Sequence, residues 1–230
     1  MKNITDVSPW APLHDRLRFA ASFVESRDMK RKRVLDIGCG YGWFEVHAKK
    51  MGARSIIGTE LSEGDLVTAK RSIHDRNIRF RVGSAISLPF DDRSFDTVVS
   101  WEVLEHIPKG TELTMFLEIS RVLKKGGICY ISTPHRAFVS TLLDPAFWLI
   151  GHRHYPIRSV ILYAQKAGMK VDRIQCAGAW WETLWILNLY ISKWIFRRPP
   201  FFAKYFERQL DAEYEKESGF TNIYCRMRKI

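Results

Sequence analysis

The four cysteines of this 230-residue chain form no closely spaced pair. They are Cys39, Cys129, Cys176 and Cys225. Their wide spacing excludes a CxxC zinc or redox motif and a dense disulfide framework. We interpret them as free thiols of a protein in a reducing compartment.

The chain also has little of what marks secreted or membrane-spanning proteins. Residues 1–6 contain no apolar segment of the kind that a secretory signal requires. No stretch supplies the roughly 18 consecutive apolar residues expected of a membrane-spanning helix. The sequence therefore predicts a cytoplasmic protein, and the aromatic segment described below adds peripheral contact with a membrane as an open alternative.

Negative charge is scarce relative to positive charge. Lys and Arg number 36 against 25 Asp and Glu, which gives a net charge of +11. Such a surface favours anionic partners such as nucleic acid, acidic lipid head groups or phosphorylated small molecules. The basic residues are scattered rather than gathered in one stripe, and no RNA-stacking motif is present, so nucleic acid is not the favoured partner.

What the sequence does contain is a glycine-rich turn between an apolar run and a helix-like pattern. The segment 34–42 ends its apolar run near Asp36 and continues with Gly38, Gly40 and Gly42 at alternate positions. Glycine allows positive φ and a close approach of the backbone to a ligand. The helix N-terminus that follows presents free N–H groups. This arrangement predicts a cradle for the polar part of a nucleotide-like ligand.

Strand-like and helix-like segments alternate along the chain. The predicted strands are 33–37, 55–60, 78–82, 96–101, 128–132, 169–174 and 223–228, and the predicted helices include 12–29, 43–51, 62–75, 111–123 and 158–167. This alternation predicts an α/β fold with a doubly wound, mostly parallel sheet. We expect a single domain with an N-terminal helix in 1–30, a core over 31–177, a helical insertion over 178–219 and a final strand in 220–230.

An acidic residue ends the second predicted strand. In open α/β sheets the ligand lies beyond the carboxyl ends of the strands. Glu60 is placed there, and a carboxylate can accept hydrogen bonds from both hydroxyls of a ribose. The glycines do not read G-x-G-x-x-G, because Trp43 stands where the third glycine would be. A nicotinamide-dependent oxidoreductase is therefore the alternative rather than the favoured function.

The segment Asp36–Gly42 resembles the first motif of the class I S-adenosyl-L-methionine-dependent methyltransferases. Further segments continue the resemblance in the family's order, at 58–62, 83–85, 88–90, 94–96, 101–106 and 123–127. The resemblance covers residues 34–133. It implies a Rossmann-like methyltransferase fold, a seven-stranded sheet whose last strand is antiparallel, and S-adenosyl-L-methionine as the cofactor.

The resemblance also implies the cofactor contacts. The residues are Asp36, Gly38, Cys39, Gly40, Gly42, Glu60, Leu61, Ser84, Ala85 and Trp101. Within this set the glycines would pass the methionine end of the cofactor, Glu60 would bind the ribose and Leu61 would lie against adenine. Ser84 stands where the family more often has Asp, so the backbone N–H of Ala85 is the expected contact there. Trp101 would line the methyl-transfer end.

Methyl transfer to oxygen or nitrogen requires alignment and the removal of a proton from the acceptor. The candidate catalytic residues are His106 and Glu102, in one turn after the fourth strand, and His135 after the fifth. A neutral imidazole suits this task at neutral pH; a structural hydrogen bond is the alternative for His106. His152 and His154 offer two metal ligands, but no third stands at a matching spacing, so no metal is predicted.

An aromatic segment at 180–196 holds four of the eight tryptophans and is followed by two arginines and two prolines. Aromatic residues flanked by basic ones suit a helix lying on an anionic membrane, which allows peripheral membrane contact through 180–198. A cap over the active site and a dimer interface are the favoured alternatives. The oligomeric state is not predicted.

The aromatic segment and the loop after the fifth strand together predict an apolar acceptor pocket. The sequence thus favours methyl transfer to a small-molecule or lipid-linked acceptor at oxygen, with a quinone-like ring, a lipid and a lipid-linked sugar all compatible. An RNA-directed methyltransferase remains a lower-ranked alternative.

Overall fold

The computed structural model describes residues 8–230, and residues 1–7 of the predicted N-terminal region lie outside it. Seven strands form one sheet: β1 (Arg33–Ile37), β2 (Ser55–Glu60), β3 (Ile78–Val82), β4 (Phe95–Trp101), β5 (Leu123–Pro134), β6 (Met169–Ala177) and β7 (Asn222–Lys229). Their order across the sheet is β3-β2-β1-β4-β5-β7-β6. β7 runs antiparallel to β5 and β6, and the other neighbouring strands pair in parallel. The predicted seven-stranded, mostly parallel sheet with a reversed last strand is confirmed.

Helices cover both faces of the sheet. They are α1 (Asp15–Phe23), α2 (Trp43–Lys50), α3 (Glu63–Ser72), α4 (Glu112–Val122), α5 (Phe138–Leu143), α6 (Pro145–Ile150), α7 (Ile157–Lys166), α8 (Trp180–Tyr190) and α9 (Ala203–Tyr214). The predicted helix at 12–29 is shorter than expected, because the chain becomes extended at Val24. The loop expected after the fifth strand contains α5 and α6, whose six residues each are too few to show a helical period.

The core lies in two hydrophobic clusters, one on each face of the sheet. Successive strand residues point to opposite faces, so Val98 joins the cluster that contains α4 and α7, and Val99 joins the cluster that contains α1 and α2. The central strands are buried on both faces, as is usual for parallel sheets. All four cysteines are free thiols, as predicted.

The insertion before the last strand consists of α8, a π-helical turn at Ile191–Ile195, and α9. Its two ends meet at a narrow neck, where the backbone N–H groups of Phe220 and Thr221 donate to the Gly178 carbonyl at 2.8 and 3.1 Å. A Cβ on Gly219 would lie 2.1 Å from that oxygen, so only glycine allows this approach.

A carboxylate from α9 fixes the start of α8. Glu213 accepts hydrogen bonds from the backbone N–H groups of Ala179, at 2.7 Å, and Trp181, at 2.8 Å. These are unpaired donors of the helix N-terminus, which an anion stabilises. The two helices of the insertion are therefore locked to each other. Among the described residues, no helix has the length and apolar character needed to cross a bilayer.

Candidate active site

A cavity of about 270 Å³ opens beyond the carboxyl ends of β1, β2 and β4. Seven of the residues predicted for the site line it: Gly38, Glu60, Leu61, Ser84, Ala85, Glu102 and His106. We call it the first cavity. Thr59, Val103, Ile107 and Pro108 also line it and were not singled out in the sequence.

The glycine turn is held against β2 at the floor of this cavity. The N–H groups of Gly38 and Cys39 donate to the Thr59 carbonyl at 2.8 and 3.1 Å. Gly38 has φ +77°, and a Cβ there would lie 2.4 Å from a methyl carbon of Val103. Both the conformation and the space therefore require glycine at this position.

Glu60 joins the glycine turn to the cavity. Its Oε1 accepts the backbone N–H of Gly40 at 2.8 Å, and its side chain faces the first cavity. Burial raises the pKa of Glu60 above its usual value, while the Gly40 N–H opposes that shift. Beside it, Leu61 is 70% exposed at the cavity wall. A carboxylate next to an uncovered apolar side chain suits a ligand with vicinal hydroxyls joined to a flat apolar ring.

Four of the residues predicted from the glycine turn, Asp36, Cys39, Gly40 and Gly42, are not among those that line the first cavity. Asp36 is buried, and burial together with the Glu45 carboxylate raises its pKa well above the usual value. Cys39 is also buried. A Cβ on Gly42 would meet Ile73 at 2.5 Å, so this glycine allows close packing near α3. Asp36, Cys39 and Gly42 therefore shape the glycine turn and do not form the wall of the first cavity.

The expectation that Trp101 lines the methyl-transfer end is wrong. Its indole is buried and packs against Phe44 and Trp43, with ring centroids 5.6 and 6.4 Å away. Trp101 belongs to the core cluster beneath α1 and α2. The next residue, Glu102, turns out of the strand and lines the cavity instead.

A second, smaller cavity of about 60 Å³ lies on the other side of Glu102. Glu102 lines both cavities. Its backbone has φ +54°, a left-handed conformation that a non-glycine residue adopts only when its surroundings hold it. Here Ser132 holds it, because the Ser132 hydroxyl donates to Glu102 Oε1 at 2.5 Å and its carbonyl accepts the Glu102 N–H at 3.2 Å.

Two imidazoles flank this junction. His106 lines the first cavity and His152 the second, with ring centroids 5.2 Å apart. Partial burial of its ring lowers the pKa of His106, although the side chain is largely exposed, and the neighbouring His152 and Arg153 act in the same direction. His106 is therefore neutral at physiological pH and able to accept a proton.

His135, the third predicted catalytic residue, is placed elsewhere. Its Nδ1 lies 3.1 Å from the Phe220 carbonyl, and its backbone N–H donates to the Thr221 carbonyl at 2.7 Å. Among residues 8–230, it is not one of those that line either cavity. The structure gives His135 a role in joining the end of β5 to the neck of the insertion.

The second cavity is built from polar residues that the sequence pattern missed. They are Arg16, Asp144, Glu182, Thr183, Thr221 and Asn222. Glu182 accepts from the Tyr214 hydroxyl at 2.7 Å and from the Asn222 amide at 3.0 Å. Burial raises the pKa of Glu182 to about 7. In the sequence, this polar cluster was indicated only by Glu182, an acidic residue inside the apolar aromatic segment 180–196.

Comparison with known proteins matches residues 35–131 to a family described as "Methyltransferase domain". The chain is 36% identical over 128 residues to the chloroplastic tocopherol O-methyltransferase of Arabidopsis thaliana, covering 53% of this chain and 35% of that protein. It is 29% identical over 129 residues to the ubiquinone biosynthesis O-methyltransferase of Pelagibacter ubique, covering 54% and 50%. The matched region thus spans half or less of the length of these relatives.

The fold comparison agrees over nearly the whole chain. An S-adenosylmethionine-dependent methyltransferase from Mesorhizobium loti superimposes with a TM-score of 0.64 at 16% identity, covering 99% of this chain and 100% of that one. Residues 35–131 thus match a methyltransferase domain, and the chain as a whole has the fold of a known S-adenosylmethionine-dependent methyltransferase. The match and the shared fold make S-adenosylmethionine the cofactor against which the first cavity is compared.

The residues of the first cavity fit that cofactor. Gly38 provides a floor that a side chain would fill, Glu60 provides an acceptor for ribose hydroxyls, and Leu61 provides an uncovered apolar surface for adenine. The cavity also ends at Glu102, where the second cavity begins.

Proposed function

We propose that this chain transfers a methyl group from S-adenosylmethionine to a hydroxyl oxygen of an apolar, quinone-like acceptor. The observation that carries the proposal is the position of Glu102 between two cavities. The first has the chemistry of a nucleoside site, and the second holds carboxylates and imidazoles that suit a hydroxyl-bearing ring.

When bound, S-adenosylmethionine supplies a methyl group already activated by a sulfonium, so the chain's main task is alignment. The glycine turn and Glu60 position the cofactor from one side. His106 accepts the proton of the acceptor hydroxyl, and Glu102 orients that hydroxyl at the junction. A positioned base contributes roughly 10²–10⁴-fold to such a step.

The acceptor class is supported by the second cavity and by the relatives. Leu143 and Ile186 give it an apolar wall beside its polar residues. Two of the similar proteins are named for tocopherol and ubiquinone biosynthesis, which are consistent with a hydroxylated ring. A cavity of about 60 Å³ is smaller than the roughly 150 Å³ that holds benzene. We therefore expect α5 and α8 to separate when the acceptor binds.

The proposal is tested by transfer of labelled methyl from S-adenosylmethionine into separated lipid, glycan, RNA and protein fractions of a cell extract. Label in a quinone-containing lipid fraction is the expected result. Label in RNA would favour the RNA-directed alternative. Quenching of NADH fluorescence on binding, with no methyl transfer to any fraction, would favour the oxidoreductase.

Filling the second cavity should block the acceptor and spare the cofactor. Ile186→Trp adds bulk to the wall, so we expect at least a tenfold rise in acceptor KM or loss of turnover. Affinity for S-adenosylmethionine, measured by calorimetry, should be unchanged. The control is Leu184→Trp on the same helix, where the side chain is exposed. Equal kinetics for both variants would contradict the assignment of the second cavity.

We also propose that the insertion rests on an anionic membrane when it takes up its acceptor. Its outer surface exposes Trp194, Ile195 and Phe196, and Arg197 and Arg198 follow directly. Apolar side chains beside cations suit the head-group region of acidic bilayers.

Replacing Ile195 and Phe196, which are 70% and 56% exposed, with Glu should remove this binding. We expect the wild type to co-sediment with phosphatidylglycerol vesicles, and the double variant to remain in solution. Leu117→Glu, at an exposed apolar position on α4, is the control. Deletion of the whole insertion would be a less specific test, because it would also remove Glu182 of α8 from the second cavity. Failure of the wild type to sediment would refute the membrane proposal.

A further inference from the structure

We propose that Asp144, His152 and His154 form a binding site for a divalent transition-metal ion of the zinc class, at the wall of the second cavity. Each of the three offers one ligand atom, and these atoms lie within 4.8 Å of one another. All three residues line the cavity. The sequence expectation of no metal rested on the lack of a third ligand at a matching spacing, and the fold supplies that ligand.

Helix α6 brings the ligands together although they are apart in sequence. Asp144 precedes the helix and caps it, since Asp144 Oδ1 accepts the Ala146 N–H at 2.8 Å. Gly151 ends the helix with φ +69°, which turns the chain back. His152 and His154 follow that turn, so the chain passes the same point before and after the helix.

The distances suit a tetrahedral ion. Asp144 Oδ2 lies 2.8 Å from His154 Nε2 and 3.5 Å from His152 Nδ1. With metal–ligand bonds of about 2.0–2.1 Å, ligand atoms of a tetrahedral site are roughly 3.3 Å apart. Small adjustments of the two imidazoles therefore make room for the ion. Two nitrogens and one carboxylate oxygen favour zinc and similar ions over magnesium or calcium, which prefer oxygen ligands only.

One nitrogen of the cluster is left without a hydrogen bond. Within residues 8–230, His152 Nδ1 is buried and makes no well-formed hydrogen bond, and Asp144 Oδ2 lies 3.5 Å from it. Buried polar atoms are normally satisfied, so an unpaired one calls for an explanation. A metal ion at the centre of the three residues provides the missing partner.

The second nitrogen of His154 makes an outer contact of the kind found in metal sites, and the second nitrogen of His152 faces a carboxylate at a longer distance. Metal-bound histidines usually engage a carboxylate or another acceptor through their second nitrogen. His154 Nδ1 lies 3.2 Å from the Thr141 hydroxyl, and His152 Nε2 lies 3.9 Å from the Glu105 carboxylate. That carboxylate oxygen of Glu105 is buried and makes no hydrogen bond to any of the described residues.

Glu105, His106 and His152 form a second possible cluster, which shares His152. In that set both imidazoles lie 3.9 Å from the carboxylate oxygen, and His106 is exposed. The Asp144 set is tighter and more enclosed. With three protein ligands, the ion keeps one position open toward the second cavity. If the proposed function holds, that position receives an oxygen of the acceptor.

The test is metal binding, which does not depend on methyl transfer. The full chain is stripped with a chelator, and Zn²⁺ is titrated in competition with a chromophoric chelator. We expect one ion per chain. Asp144→Asn and His154→Gln should weaken binding at least 100-fold, while His74→Gln, at an exposed imidazole away from the site, should not. Far-UV circular dichroism confirms that each variant is folded.

If Asp144→Asn and His154→Gln do not fold, two further measurements test the metal site. Thr141→Val changes only an outer contact and should weaken binding about 10–100-fold. Co²⁺ bound to the wild type should give the intense visible absorption of a four-coordinate site. The absence of stoichiometric binding, or the weak spectrum of an octahedral aqua ion, refutes the site. Loss of binding in His106→Gln but not in Asp144→Asn would place the ion at the other cluster and also refute it.

Discussion

Glu60→Gln is expected to weaken the binding of S-adenosylmethionine about 100-fold, or about 2.7 kcal/mol, without unfolding the protein. Glutamine keeps the shape of the side chain and an oxygen that can accept the Gly40 N–H, now 2.8 Å from Glu60 Oε1. It removes the charge that would strengthen hydrogen bonds from both ribose hydroxyls. The loss should therefore fall on the ligand rather than on the glycine turn.

Isothermal calorimetry with the purified variant measures this effect directly, and thermal unfolding shows whether the fold is retained. Glu63→Gln is the matched control, because Glu63 is an exposed carboxylate at the start of α3 and pairs with Lys70 at 2.6 Å. An unchanged affinity in Glu60→Gln would refute the ribose assignment. An equal loss in Glu63→Gln would point to a general effect of surface charge.

His106→Gln is expected to lower kcat at least 100-fold, with a much smaller change in the affinity for S-adenosylmethionine. Glutamine retains hydrogen-bonding capacity but cannot accept a proton at neutral pH. Its side chain also occupies the same wall of the first cavity. The change thus separates proton removal from binding.

Single-turnover kinetics at saturating cofactor measure the chemical step. The control is His74→Gln, which removes an exposed imidazole outside both cavities. A normal single-turnover rate in His106→Gln would exclude His106 as the base and leave Glu102 and His152 as the candidates at the junction. A rate loss that disappears at higher cofactor concentration would assign His106 to binding.

The cofactor half of the site could be predicted because its residues stand at fixed places in a local pattern. Glu60 ends a strand and Gly38 starts a tight turn, and both features are visible in a few consecutive residues. Trp101 could not be placed in this way. It ends a central strand that is buried on both faces, so no alternation of polar and apolar residues indicates the direction of its side chain.

The acceptor half depends on contacts between distant segments. Arg16, Asp144 and Glu182 come from three separate helical regions and meet only in the folded chain. No spacing rule connects Asp144 with His152 until α6 is known to lie between them. The two short helices α5 and α6 lack the periodicity that would have revealed them.

The narrow neck of the insertion bears on how related methyltransferases come to differ in their acceptors. Because the chain leaves the sheet at Gly178 and returns at Gly219, where the backbones touch, the α8–α9 segment begins and ends at one point. A segment of this kind can be exchanged without altering the spacing of the strands on either side. We expect a chimera that receives the corresponding segment of a related methyltransferase to keep its cofactor affinity and to change its acceptor.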